Sequence, residues 1–544
     1  EVEHGILGLL PRASQMAAAD AELEPLPPTT EGLTPFPRED KRLLETIFQE
    51  HLPQIMVERQ GGQPEDYLRP AQWEVAQRIA DNFGRSGLLL VHAPTGTGKT
   101  LAYVVPALLW SLRHNLRVGV ATYTRALQEQ AMEGEVPRAL QALARAGIDP
   151  LPRVALLKGR ENYLCWRAFT PQTPEPSDDG ETWLAWTALL TFAMTDEFGD
   201  LDRLDANPPM RLATSQPYRD AIARLLRVAR ARKGCCSRPK DRATCMADLA
   251  RRRAERSHLV ITNQSFVLAR QEFLRHVVFD ECEHLHDGAV SAWSHRFDFE
   301  ETRRTLGRLH RPGRGRSRAP LDRLQAQLPV GGGSREIVDR TLGRWEVALR
   351  ALHRLEEEAE FFDRRRVEET AGRGERELHG YLRSRVQQGG EAGLLQTRFA
   401  LGSELALLER ELDRVLEVCD ANAMPGQAAI RRQLELGRTD LIEAGKSLDA
   451  CIPWSDSGPS FAQEVFYDVE RRVTGSLGLV ARVLLPFESL GRFYYPDLAS
   501  AAFVSATTYL AGSFDSAKGY LGLQRAEQPA EEEERVGRPV EVFR

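Results

Sequence analysis

SGLLLVHAPTGTGKTLAYVVPALLWSL, residues 86–112, is the stretch from which the fold can be read. Its LLLVHA is short, apolar and bounded by glycine, as expected of a strand buried on both faces. APTGTGKT (93–100) then breaks the pattern, and LAYVVPALLW resumes it at helical spacing, with Pro106 expected to bend the helix. A glycine-rich turn between a buried strand and a helix lets successive backbone N–H groups face the phosphates of a nucleotide. Gly96, Thr97 and Gly98 would form that cradle for ATP. Lys99 would set its ammonium against the β- and γ-phosphates, and Thr100 would ligate Mg²⁺. Ala93 stands where the simple GxxxxGKT pattern begins with glycine. A flexible turn carrying a surface lysine is the plainer alternative.

Further strands follow in LRVGVATYT (116–124), VALLKG (154–159), SHLVITNQSFVL (257–268) and RHVVFDECEHL (275–285), separated by helical stretches. That alternation predicts an α/β fold built on a parallel sheet covered on both faces. DECE (280–283) ends an apolar strand: Asp280 is a candidate for the Mg²⁺ shell, and Glu281 for positioning or deprotonating the attacking water. With Lys99 these are the candidate catalytic residues.

The chain has 544 residues, enough for several domains. Hydrophobic residues make up 42% and charged residues 28%, ordinary for a globular protein. A net charge of −6 excludes an all-over basic coat but not a local basic groove. No apolar run is long enough to cross a bilayer, and EVEHGILGLLPRAS lacks the order of a secretory signal. A cytoplasmic protein with no membrane partner is expected. The organisation reads as an N-terminal extension (1–64) and the first part of a motor domain (65–165). A cysteine-containing insertion (166–250) and the middle of the motor domain (251–299) follow. A mainly helical insertion (300–460) comes next, where Leu342, Trp345, Leu349 and Leu352 form one helical stripe and Leu401, Leu405, Leu408 and Leu412 another. EVFYDV, LVARVLL and AAFVSATTY return strand character and are assigned to the last part of the motor domain (461–525). Residues 526–544 read as an acidic tail or linker.

These motifs, in this order, resemble the DinG/XPD branch of superfamily 2 DNA helicases over about residues 65–525. RPAQWEVA (69–76) resembles the family's adenine motif, which implies that Gln72 recognises adenine with Arg69 in support. ATYTRALQEQ (121–130) resembles the next motif and places Thr122, Thr124 and Gln128 near the DNA backbone. FVSATTYL resembles the Ser-Ala-Thr motif, in which Ser505, Ala506 and Thr507 couple ATP state to the DNA groove. The fold so implied is a RecA-like P-loop sheet with a cysteine-containing insertion and a helical arch. Two residues depart from the pattern: Glu283 replaces the histidine of DEAH, and Gln264 stands where a histidine is usual.

The family places a [4Fe–4S] cluster in the cysteine insertion, and KGRENYLC (158–165) resembles the stretch ending in its first ligand. Cys165, Cys235, Cys236 and Cys245 would be the four thiolates. Cys235 and Cys236 are adjacent, whereas the family separates its middle ligands, so a vestigial domain without iron, a zinc site and simple buried thiols stay open. Trp166 could stack on a base or fill the core. RVARARKG, SRPKDR and RRRAER give the insertion a basic character suited to a single strand. The resemblance implies unwinding of single-stranded/duplex DNA junctions, 5′ to 3′, in repair or in a CRISPR-associated complex. An ATP-regulated nucleic-acid-binding module without processive unwinding is the alternative. A motor of this kind needs a second RecA-like domain, and the residues after Thr507 are too few to form one. It is expected in cis in a longer protein, or in another chain.

Overall fold

The computed structural model describes residues 12–15, 23–174, 176–206, 215–232, 245–312, 319–370, 381–422, 426–452, 465–471, 476–528 and 537–544. They divide into two compact units, one from the described residues within 1–232, 236–292 and 485–544, the other within 293–484. Helices used below are α1 (Pro70–Arg85), α2 (Lys99–His114), α3 (Arg125–Gln130), α4 (Met246–Glu255), α5 (Gln264–Ala269), α6 (Gly333–Thr370), α7 (Ala392–Ala421) and α8 (Gln427–Cys451). The strands are β1 (Leu88–His92), β2 (Val118–Thr122), β3 (Val154–Leu156), β4 (Leu259–Asn263), β5 (His276–Asp280), β6 (His295–Asp298), β7 (Val465–Arg471), β8 (Leu477–Val483), β9 (Ser500–Ser505) and β10 (Val540–Phe543).

The first unit is built on a seven-stranded sheet in the order β10-β1-β9-β5-β2-β4-β3, and every pairing in it is parallel. Central strands buried along their whole length, such as VGVAT and SAAFVS, require helices on both faces. The buried length of α2, from Leu101 to Ser111, supplies much of that cover, with Trp110 stacked on Phe83 of α1. The expected α/β P-loop sheet is the fold. Its C-terminal edge carries the ends of β1, β9, β5 and β2 side by side, which brings residues far apart in sequence to one place.

Within the cysteine insertion, helices Gly180–Thr195 and Gln216–Ala229 pack through Ala185, Tyr218, Ala221 and Ile222. In the second unit, α6 packs on α7 and α7 on α8, burying the two leucine stripes in one core. Among the described residues no helix is long and apolar enough to cross a membrane.

Two expected boundaries are corrected. EVFYDV and LVARVLL, assigned to the motor sheet, form β7 and β8, which pair antiparallel with each other and with β6 in the second unit. Strand periodicity reveals a strand but not the sheet it joins. The segment read as an acidic tail or linker ends in β10, a parallel edge strand in register from Leu88↔Val540 to Val91↔Phe543. Arg538 donates to the carbonyls of Ser86, Leu498 and Ala499, and Glu541 pairs with Arg78 and Arg85 of α1. The EEEER run hides this strand in the sequence.

Candidate functional site

The turn between β1 and α2 is shaped by two left-handed glycines, Gly96 at φ 85° and Gly98 at φ 79°. Gly98 is doubly constrained, since a Cβ there would lie 2.2 Å from Gln72 Nε2. The Gly96 carbonyl accepts from Arg69 Nη1 at 3.1 Å, and the Gly98 carbonyl from Gln72 Nε2 at 2.8 Å. Gln72 is 7% exposed. The two residues expected at adenine thus both hydrogen-bond to the turn between β1 and α2. Thr97 Oγ1 donates back to the Pro94 carbonyl at 2.6 Å. α2 begins at Lys99 with no side-chain cap, so its first N–H groups are free for an anion.

Asp280 and Glu281 end β5 on the same edge. Asp280 Oδ2 accepts from the Tyr103 hydroxyl at 2.9 Å, while Oδ1 is buried without a partner in the structure. A buried carboxylate oxygen with no hydrogen bond, close enough to Lys99 and Tyr103 to feel both, fits the shell of a nucleotide-bound Mg²⁺. Burial pushes the Asp280 carboxyl above its ordinary pKa, against the pull of Tyr103 and Lys99. Glu281 is raised too, by burial first and then by the charges of Asp280 and Glu283. It sits at φ 51°, a left-handed conformation that costs a non-glycine residue energy. Gln264 Nε2 donates to the carbonyls of Asp280 and Glu281 at 2.9 and 3.1 Å and holds this turn. Tyr103 went unnoticed in the sequence, where it reads as one more apolar position of the helix; its spacing of three from Thr100 was the available signal.

Ser505 closes β9 beside β1. Its carbonyl accepts from Ala93 N at 2.9 Å, and its hydroxyl accepts from Thr507 N at 2.9 Å and meets Thr507 Oγ1 at 3.0 Å. Ala506 lies between them, so the Ser-Ala-Thr turn abuts the start of the phosphate loop.

The residues expected near DNA are placed less simply. Thr122 and Gln128 are each 1% exposed, and Thr124 Oγ1 caps α3 by accepting from Leu127 N. Exposed at this corner instead is Tyr123, whose ring stacks on His284 at 3.9 Å and 14°. Neither was singled out in the sequence.

Cys165 and Cys245 are antiparallel bridge partners, 1% and 2% exposed, and Arg160 Nη1 donates to Cys245 Sγ at 3.6 Å. Two thiols side by side with a cationic donor suit a pair of cluster ligands. Cys235 and Cys236 lie outside the described residues. Trp166 is buried against Phe169, 5.7 Å between ring centroids, and so is a core residue.

A phosphate turn, an acidic strand end and an uncapped helix start on one parallel sheet define a P-loop nucleotide-binding domain of the RecA-like kind. Within that class part of the chain is similar to DinG helicases. Residues 69–140 match the DEAD/DEAH box helicase family. The chain is 32% identical over 244 residues to the ATP-dependent helicase DinG of Mycobacterium tuberculosis (strain ATCC 25177 / H37Ra), covering 41% of this chain and 35% of that protein. It is 40% identical over 104 residues to the ATP-dependent DNA helicase YoaA of Escherichia coli (strain K12), covering 19% and 15%. A solved XPD helicase aligns over 87% of this chain and 62% of its own, at 12% identity and a TM-score of 0.36. The chain thus spans about a third of the length of the DinG relative it matches.

Proposed function

We propose that the chain is the first motor domain of an ATP-dependent DNA helicase that works on single-stranded/duplex junctions in the 5′ to 3′ direction. The observation that carries this is the meeting of Lys99 and Thr100 with Asp280 and Glu281 on one sheet edge, with the Ser505–Thr507 turn hydrogen-bonded to the phosphate loop. In this reading Lys99 and the free N–H groups of α2 bind the phosphates. Thr100 and Asp280 hold Mg²⁺, which supplies charge neutralisation of the polyphosphate when bound. Glu281 orients the attacking water, and the Ser-Ala-Thr turn passes the change at the γ-phosphate towards the DNA.

A second motor domain, in cis or in another chain, completes the site, because one rigid domain offers ATP no two-state element to bias. The protein is cytoplasmic and serves repair or a CRISPR-associated complex. Its insertion holds a [4Fe–4S] cluster through Cys165, Cys235, Cys236 and Cys245. Iron and acid-labile sulfide in anaerobically purified protein are the expected result; zinc, or neither, would return the cysteines to a structural role.

The test of the function is displacement of a labelled strand from 5′-tailed and 3′-tailed duplexes by the full-length gene product. ATP-dependent displacement from the 5′-tailed duplex alone is expected. DNA-stimulated ATP hydrolysis without displacement would favour the alternative, an ATP-regulated nucleic-acid-binding module. Glu283 Oε2, buried without a partner in the acidic turn, is the feature that keeps this alternative in play.

A further inference from the structure

We propose that Tyr103 is the positioning residue of the nucleotide site: its phenol ties up Oδ2 of Asp280 so that Oδ1 alone is presented to the divalent cation of a bound nucleotide. The proposal rests on the nucleotide-binding reading above. It starts from helical spacing. Tyr103 follows Thr100 by three and Lys99 by four, so all three lie on one face of α2 next to the phosphate turn.

Tyr103 is completely buried and its hydroxyl donates to Asp280 Oδ2 at 2.9 Å. The Thr100 side chain, three residues earlier on the same helix, is a second polar neighbour of this hydroxyl. The phenol therefore stands between the two side chains assigned to the cation, and its direction of donation orders both. A threonine hydroxyl that offers a lone pair to a cation must place its proton elsewhere, and the Tyr103 oxygen can accept it. The phenol's own proton then goes to Asp280 Oδ2, while Oδ1 has no partner in the structure. A carboxylate with one oxygen held and one free has a single way to ligate. Without the phenol, the Asp280 carboxylate could rotate or present both oxygens, and the Thr100 proton would lose its acceptor. Partners behind the ligands typically change metal affinity by about 10–100-fold when removed.

The experiment uses the full-length protein and a fluorescent ADP analogue, titrated with nucleotide in excess EDTA and then with Mg²⁺ at fixed nucleotide. For Tyr103→Phe the Mg²⁺ midpoint should rise by about tenfold or more, while metal-free nucleotide affinity stays at the wild-type value. A purely packing role would weaken both together or neither, and either result overturns the proposal. Because Phe leaves Asp280 Oδ2 buried and unsatisfied, Asp280→Asn is tested alone and with Tyr103→Phe. If the phenol acts through the carboxylate, the double variant has the Mg²⁺ midpoint of Asp280→Asn. A further independent loss in the double variant overturns the proposal. A wild-type protein that binds nucleotide with no dependence on Mg²⁺ would remove the reading of the site itself, and the role of Tyr103 with it.

Discussion

Lys99 and Lys158 each follow a strand of the same sheet, β1 and β3, yet they face opposite surroundings. Lys158 is 2% exposed in its side chain, with Asp200, Glu129 and Asp202 at 2.7, 2.8 and 3.0 Å from its ammonium. Burial alone would lower its pKa, but hydrogen bonds to these carboxylates raise it above that of an ordinary lysine. Lys99 makes no ion pair among the described residues and stands at the uncapped start of α2. A lysine already enclosed by three carboxylates is structural: it fastens α3, which carries Glu129, to the Asp200–Asp202 turn of the insertion. A lysine that feels Asp280 and Glu281 but makes no ion pair with them, beside free backbone N–H groups, is placed for an anion that arrives from solution. Both lie in motifs that resemble the helicase family, so a motif match can mark architecture as well as chemistry.

The largest expected effects separate the two lysines. Lys99→Ala in the full-length protein should cut kcat for ATP hydrolysis by about 10²–10³-fold, with the thermal unfolding midpoint unchanged. Lys158→Met should do the reverse to the fold, since three carboxylates are left around an apolar side chain. Removing one member of a buried ion cluster costs about 3–5 kcal/mol, measurable by chemical denaturation. Adding Glu129→Gln and Asp202→Asn should return part of that loss. A stable Lys158→Met protein, or an unstable Lys99→Ala protein, would erase the distinction.

A smaller effect depends on pH. His276, the first residue of β5, is buried and its pKa is lowered from 6.5 to about 4 by burial first, then by the charges of His114 and Arg538. Its ring meets Ser500 Oγ at 2.8 Å and Thr29 Oγ1 at 3.3 Å. The unfolded chain takes up a proton near pH 6.5 and the folded chain only near 4. Stability is therefore complete above 6.5 and falls as pH drops from 6.5 towards 4, by about 3 kcal/mol for this group. His258 adds a parallel contribution, being lowered to about 4 by burial and by Arg153. His276→Gln should flatten the fall in denaturation midpoint between pH 6.5 and 4.5. An unchanged slope would place the acid sensitivity elsewhere.

The nucleotide end of the sheet was legible because its chemistry is local. APTGTGKT and the end of β5 each announce themselves within a few residues, and the alternation of strands with helices implies the parallel sheet that brings them together. Lys158, Asp200 and Tyr103 were not legible as functional positions. Their meaning lies in contacts such as Lys158–Asp200 and Tyr103–Asp280, which only the folded chain creates. The assignments of β7, β8 and β10 failed for a related reason: periodicity is a property of a segment, whereas sheet membership belongs to a pair. Arg69 and Gln72 stood out in the sequence through their motif, but their bonds to the loop carbonyls depend on the left-handed turn at Gly96 and Gly98.

The smallest effect tests whether Lys158 really clamps α3. This helix runs on through Ala131–Glu135 into Val136–Arg145, and its first turn begins at Thr124, whose Oγ1 accepts from Leu127 N at 3.3 Å. Loss of a threonine cap costs about 1 kcal/mol when the cap alone holds a helix end, so Thr124→Ala should lower stability by less than that in the wild-type background, where the Lys158 contacts also hold it. One turn further on, Glu129 of the same helix is held by Lys158, and Arg125 pairs with Asp202 at 3.0 Å. If these contacts fix the helix, the cap matters little while they are intact. It should matter more once Lys158→Met has freed Glu129, so the double variant should lose more than the sum of the single losses. Non-additivity of this kind is expected only between groups that share a structural element. Simple addition of the two losses, read from denaturation of the four proteins in the cycle, would mean that α3 is held by its apolar packing and that the Lys158 cluster serves the insertion alone.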